Sequence, residues 1–159
     1  MRKITAALLA VLIMAACSSI DCPLNNAVYT KCRLAGTVTR LTDTLTVSAA
    51  RGEGNDTVLL TRALPVDSFV IPLSYRYETD VFYLDIRPEA CTPTIDTLTV
   101  TKTNEPHFEA VDCPASMFHT LGSVTCTHHR IDSVAINYPK VSYDTSKAHL
   151  LIYFKALSD

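Results

Sequence analysis

Thiols, imidazoles and carboxylates are the groups in this sequence that could bind a metal, crosslink the chain or attack a substrate. Their spacing decides among these. The densest cluster is Cys126-Thr127-His128-His129. Thiolate and imidazole are good zinc ligands, but a structural zinc site draws on two ligand pairs at defined spacing, and no second pair of that kind is present. On an extended segment Cys126 and His128 would share one face and His129 would take the other, so the three would not converge and we expect no metal here. Catalytic patterns are also missing: there is no G-x-S-x-G, H-E-x-x-H or glycine-rich phosphate loop, and the chain has only four glycines. Cys113 and His119 would face apart on a helix. The carboxylate pairs Asp80/Asp85 and Glu105/Glu109 fit solvated strand ends. The expectation is therefore a protein that is not an enzyme and carries no cofactor.

A different pattern recurs. Asp43-Thr44-Leu45, Asp56-Thr57-Val58, Asp96-Thr97-Leu98 and Asp132-Ser133-Val134 are each an aspartate, a hydroxyl residue and an aliphatic. The first and third extend to the same five letters, "DTLTV". As β-strands they alternate cleanly: Leu45 and Val47 against Thr44 and Thr46, Leu98 and Val100 against Thr97 and Thr99, Val134 and Ile136 against Ser133 and Ala135. The aspartate would then open the strand, its carboxylate bonding nearby backbone donors. The triplet also resembles the Asp-(Ser/Thr)-aliphatic acceptor sequence of the O-glycosylation system that Bacteroidota apply to exported proteins, which makes Thr44, Thr57, Thr97 and Ser133 candidate acceptors.

Export itself is written at the N-terminus. Arg2 and Lys3 precede an uncharged, mostly apolar run from Ile4 to Ala16, followed by Cys17. The run has the layout of a secretory signal and is short of the ~20 residues a membrane-spanning helix needs. "IMAAC" resembles a bacterial lipobox, with Met14 where leucine is commoner, so cleavage is expected before Cys17 and acylation upon it. Acyl chains contribute ~0.8 kcal/mol per buried methylene, and two or three of them make a stable anchor. The other five cysteines, Cys22, Cys32, Cys91, Cys113 and Cys126, would sit where disulfides persist. Two bridges at most and one leftover thiol are expected. Cys22 with Cys32 and Cys91 with Cys113 are locally convenient pairings, but spacing alone does not choose.

Residues 1–16 form the expected signal, 17–26 a short tether and 27–159 a single domain. Losing Arg2 and Lys3 from fourteen basic residues leaves twelve against sixteen acids. This mild acidity, without a basic block, argues against a nucleic-acid partner. Period two dominates the domain. Strands are expected over 28–38, 43–49, 57–62, 69–75, 81–86, 95–102, 107–111, 124–128, 131–138 and 148–154, with "TNEP" as a hairpin connection and Pro72 marking an edge or bulge. Eight to ten short strands at this spacing predict an all-β, antiparallel β-sandwich of immunoglobulin-like architecture. One short helical turn is expected near 114–121, started by Pro114 and ended by Gly122. The expected core is Leu45, Val47, Val58, Leu60, Val70, Phe82, Leu84, Ile86, Leu98, Val100, Val134, Ile136, Leu151 and Tyr153. Leu150, Ile152 and Phe154 are the alternative phase of the last strand, which would be central and buried on two faces.

The segments "CSSIDCPLNNAVYTKCRL", "DTLTV", "FEAVDCPASMFHTL" and "IDSVAINYPKVSYDTSKAHLLIYF" resemble a group of small Bacteroidota lipoproteins of unknown function. That resemblance implies a lipid-anchored β domain at the outer membrane, on its periplasmic face or at the cell surface, with no catalytic residues to carry over. Its expected partners are the membrane, through the anchor, and an envelope protein. A glycan or small-ligand module is the alternative. Tyr75, Tyr77, Phe82, Tyr83, Tyr138, Tyr143 and Tyr153 would be its candidate aromatics, although tryptophan, the commonest sugar platform, is absent.

Overall fold

The computed structural model describes residues 22, 27–52, 54–88 and 92–156. The expected signal, the expected lipidation site Cys17 and the thiol Cys91 lie outside the described residues, as does most of the expected tether. Among the described residues ten strands follow one another: β1 (Tyr29–Ala35), β2 (Thr44–Ala49), β3 (Thr57–Ala63), β4 (Ser68–Pro72), β5 (Thr79–Arg87), β6 (Thr94–His107), β7 (Ser116–Cys126), β8 (Ile131–Ile136), β9 (Lys140–Val141) and β10 (Leu150–Phe154). They form two sheets, of order β4-β1-β10-β8 and β3-β2-β5-β6-β7-β9. The pairs are antiparallel except β1 with β10, which run parallel, so the first and last strands lie side by side in the smaller sheet. This is the expected all-β sandwich.

Alternation places the core. Leu45 and Val47 on β2, Phe82, Leu84 and Ile86 on β5, and Leu98 and Val100 on β6 form the buried face of the larger sheet. Cys32 and Leu34 on β1, Ile71 on β4, Ile131 on β8, and Leu150, Ile152 and Phe154 on β10 belong to the same buried cluster from the smaller sheet. On β10 the alternative phase is the buried one; Leu151 and Tyr153 are only half-buried. Tyr153 packs beside Gly36, whose φ of 83° ends β1; a Cβ there would lie 2.9 Å from the tyrosine ring. Val58 and Val70 do not join the core; Val58 is 55% exposed. Each sits on a strand at the margin of its sheet, β3 or β4, which has a neighbour on one side only. Leu60, Val134 and Ile136 are half-buried against the core.

Two expectations fail together. "TNEP" is not a hairpin connection, and the region 114–121 is not helical. Instead β6 runs on through Pro106 to His107, and β7 runs antiparallel to it, pairing His107 with Ser116 and Leu98 with Cys126. Proline survives there because β5 pairs with β6 only as far as Thr101, so beyond that point β6 has β7 as its sole neighbour and needs no donor on the other side. A helix of under ten residues is marginal on its own, whereas the long pairing with β6 satisfies every second backbone group. Gly122 is no helix stop: Thr101 pairs with Ser123 and Lys102 with Leu121. Gly122 is thus the extra residue of a β-bulge, and the inward phase switches from His119 and Leu121 before it to Val124 and Cys126 after it.

Candidate functional site

The sandwich has two ends with different chemistry. At one end the segment 127–131 folds onto Asp96. This carboxylate is fully buried. Its Oδ1 accepts the backbone N–H of His129 (2.8 Å) and the hydroxyl of Thr127 (2.8 Å), and its Oδ2 accepts the N–H of Arg130 (2.7 Å) and Ile131 (2.8 Å). Burial pushes the Asp96 pKa up, but these four hydrogen bonds outweigh it and hold the carboxyl below its ordinary range. Arg130 then reaches the other "DTLTV" aspartate: its Nη2 lies 3.3 Å from Asp43 Oδ2, both side chains largely buried. Asp43 and Asp56 stand just ahead of β2 and β3, whereas Asp96 is the third residue of β6 and Asp132 the second of β8; backbone donors reach Asp96 and, from Arg51, Asp56. The donors of Asp96 are more than thirty residues away, not local.

The recurring triplets therefore divide into two kinds. Asp43 and Asp96 are buried, and the hydroxyl of Thr44 donates to the Arg87 carbonyl at 3.2 Å; Thr97 is half-buried. Asp56 and Asp132 are exposed, as are the neighbouring Thr57 and Ser133, and Ser133 donates to Asp132 at 3.1 Å. The Cys126-Thr127-His128-His129 cluster splits as strand alternation suggests. Cys126 Sγ is 3.9 Å from His128 Nδ1, while His129 turns to Asp96. Among the described residues no three His, Cys, Asp or Glu side chains gather to hold a metal.

At the other end, Cys22 is bonded to Cys113. Neither locally convenient pairing forms among the described residues. Cys32 is a buried thiol inside β1, facing the core with Leu34, and burial pushes its pKa up to about 12. Cys126 is a half-buried thiol with its pKa raised, first by burial and then by Asp96 and Asp132. The disulfide fastens the chain ahead of β1 to the turn between β6 and β7. Behind that turn the rings of His107 and Phe118 stack at 4.3 Å, with Tyr143 edge-on to both. Tyr143 Oη and Ser116 Oγ share a hydrogen bond.

The same end holds a buried polar network that sequence reasoning missed. Lys102 Nζ, fully buried, pairs with Asp80 Oδ2 at 2.9 Å and also bonds the Tyr77 carbonyl. Both Asp80 oxygens accept the N–H of Ser74. Asn104 donates to the carbonyls of Tyr75 and Tyr77. Its amide oxygen therefore accepts from His119 Nδ1, 2.8 Å away, leaving Nε2 with its lone pair. Burial first, then Lys102, pushes the His119 pKa down to about 4 against the opposing pull of Asp80. It is a neutral imidazole at neutral pH and a poor base. The signal for this network was legible: Asp80 is in phase with Phe82 and Leu84, and Lys102 with Leu98 and Val100, so charged residues stood on the inward face of clean strands. Beside His119 opens a cavity of about 350 Å³ whose lining includes Val28, Pro72, Leu73, Tyr75, Ala115 and Met117. Of the candidate aromatics, Tyr75, Tyr77, Tyr138 and Tyr143 are exposed, Tyr83 and Tyr153 are half-buried, and Phe82 belongs to the core.

Among known families, the profile of a family of unknown function (DUF6452) matches residues 44–154. The chain belongs to DUF6452. The DUF6452 match begins at the first residue of β2 and ends at the last residue of β10, so it takes in the whole larger sheet and omits β1. No curated protein and no solved structure matches the chain.

Proposed function

We propose that this DUF6452 chain is an exported lipoprotein, acylated at Cys17 and held at the outer membrane, whose non-catalytic β-sandwich serves a structural or interaction role with an envelope protein partner. The observation that carries this reading is the Cys22–Cys113 bond. A crosslink of this kind belongs to an oxidising compartment, and it locks the domain five residues beyond the lipobox cysteine, so that the body sits close against the surface that holds the acyl chains. Of the four candidate glycan acceptors, Thr57 and Ser133 are favoured over Thr44 and Thr97, because only their triplets present both carboxylate and hydroxyl to solvent. Intact mass of the protein purified from its native membrane tests all of this together. The expected species begins at Cys17, carries acyl chains, and loses any glycan mass in a Thr57→Ala/Ser133→Ala variant. A soluble native product without lipid would sink the reading.

The cavity beside His119 supports a second reading, a small-ligand module. Its walls are apolar and its one buried polar side chain is a neutral imidazole, which suits an apolar molecule bearing a single hydrogen-bond donor. Native mass spectrometry of the acylated protein would distinguish the two. A bound small molecule lost in Met117→Trp favours the ligand module, and a co-purifying protein favours the interaction role.

A further inference from the structure

We propose that the turn between β6 and β7 is a membrane-contacting tip, with Phe108 and Val111 entering the lipid–water interface beside the anchor; the proposal rests on acylation of Cys17. Phe108 is 61% exposed and Val111 is 96% exposed. Two large apolar side chains thus stand in a connection where polar residues are the rule: Val111 inside the tight turn closed by Cys113 N–H on the Ala110 carbonyl, and Phe108 just ahead of it. This turn is covalently joined to Cys22, with Cα atoms 5.4 Å apart. Cys17 lies five residues earlier, and five extended residues reach at most ~18 Å. No other part of the described body is tied so closely to the anchor. The stack of His107, Phe118 and Tyr143 supports the turn from behind, so it projects as a fixed tip.

Geometry and charge also select the occupant. β6 leads directly away from the tip, and Ile95 near its start is about 40 Å off at ~3.3 Å per residue. With the tip at the surface, the Asp96 end points outward. The exposed charges around the tip are mostly acidic: Glu105, Glu109 and Asp112, against Lys140. Glu109 is bonded to His107 at 3.1 Å. Such a rim gains nothing from anionic headgroups. The contact is therefore apolar, with a lipid interface and not with a charged patch, and salt should not weaken it.

The chain has no tryptophan, so single reporters read the contact directly. Full-length protein carrying Phe108→Trp, Val111→Trp or Ile95→Trp is produced in a lipidating host. Its mass is measured to establish acylation, and it is inserted in vesicles of phosphatidylethanolamine and phosphatidylglycerol. The expected result is blue-shifted emission from both tip reporters and several-fold stronger quenching by brominated acyl chains than at Ile95→Trp, not reduced by salt. A Cys22→Ala/Cys113→Ala background should erase the difference between tip and far end. Equal quenching at all three positions overturns the proposal, because the body then tumbles freely on its anchor. Tip reporters that stay unquenched in an acylated chain also overturn it and leave the anchor intact, pointing to a protein partner at the turn. A chain that is not acylated at all fails at the mass measurement, which overturns the anchor reading and this one with it.

Discussion

Asp96 and Asp132 occupy the same place in the same kind of triplet, yet one is structural and the other is not. Asp96 stands in the core with four donors aimed at it. Deleting the acceptor leaves the backbone N–H groups of Arg130 and Ile131 buried without partners, and unsatisfied buried donors cost about 1–3 kcal/mol each. Asp96→Ala should therefore lose about 3 kcal/mol or more in urea unfolding, and Asp132→Ala about 0.5 kcal/mol or less, as for an ordinary surface change. Because hydrogen bonding holds the Asp96 pKa below its unfolded value, its contribution is full above the ordinary carboxylate range and is lost as acid titrates it. His119 acts over a higher window. Its folded pKa of about 4 lies below the ordinary histidine value of 6.5, so between these the unfolded chain binds the extra proton. Stability should rise from pH 4 to pH 6.5 and then level off. The urea midpoint of His119→Gln, measured across that range, should show a flatter rise than the parent.

Strands with one clean alternation and partners on both sides were legible in the sequence. β2, β5 and the first half of β6 are of this kind, and their buried faces are the ones alternation assigns. The rest was hidden for physical reasons. Pro106, Pro114 and Gly122 are local punctuation, but whether proline ends a strand depends on whether the neighbouring position has a partner, and that is set by where β5 stops. Val58 and Val70 have the pattern of core residues and lie exposed because β3 and β4 happen to be marginal. The cysteine pairing was not readable because it depends on which end of the sandwich the chain enters from. Turns show the same dependence on surroundings. Gly36 and Gly52 both have φ near 80°, a conformation that costs other residues about 1–2 kcal/mol. Gly36→Ala should cost more than Gly52→Ala, because its new methyl meets the Tyr153 ring at 2.9 Å and the latter meets nothing within 4 Å. Thermal unfolding of the two variants side by side measures the difference as the price of the contact between β1 and β10.

At the scale of the whole molecule, the sandwich is densely apolar through its middle and more polar inside at the end that carries the disulfide. There the interior is a lysine, an aspartate, a histidine and a cavity, and Cys22 lies ahead of β1 of the smaller sheet while Cys113 lies in the β6–β7 turn of the larger. The Cys22–Cys113 bond crosses between them and closes a loop of 91 residues. Chain entropy alone gives a crosslink of that span about 4–5 kcal/mol, and removal of native disulfides from exported domains typically costs about 2–5 kcal/mol. Cys22→Ala/Cys113→Ala should therefore lose about 3–4 kcal/mol, with a Tm lower by roughly 10 °C, and reductant should lower the parent to the same value without further effect on the variant. Cys32 makes the control. Its buried thiol should resist maleimide in the folded parent and react only on unfolding, while the half-buried Cys126 reacts sooner. If reduction alone exposed Cys32, the bond would be holding the entire core shut. If Cys32 stayed protected while stability fell, the bond would act as a local clamp, holding Cys22 and the β6–β7 turn together at one end of a sandwich that stands without it. The continuous buried pairing of β1 with β10 favours the second outcome.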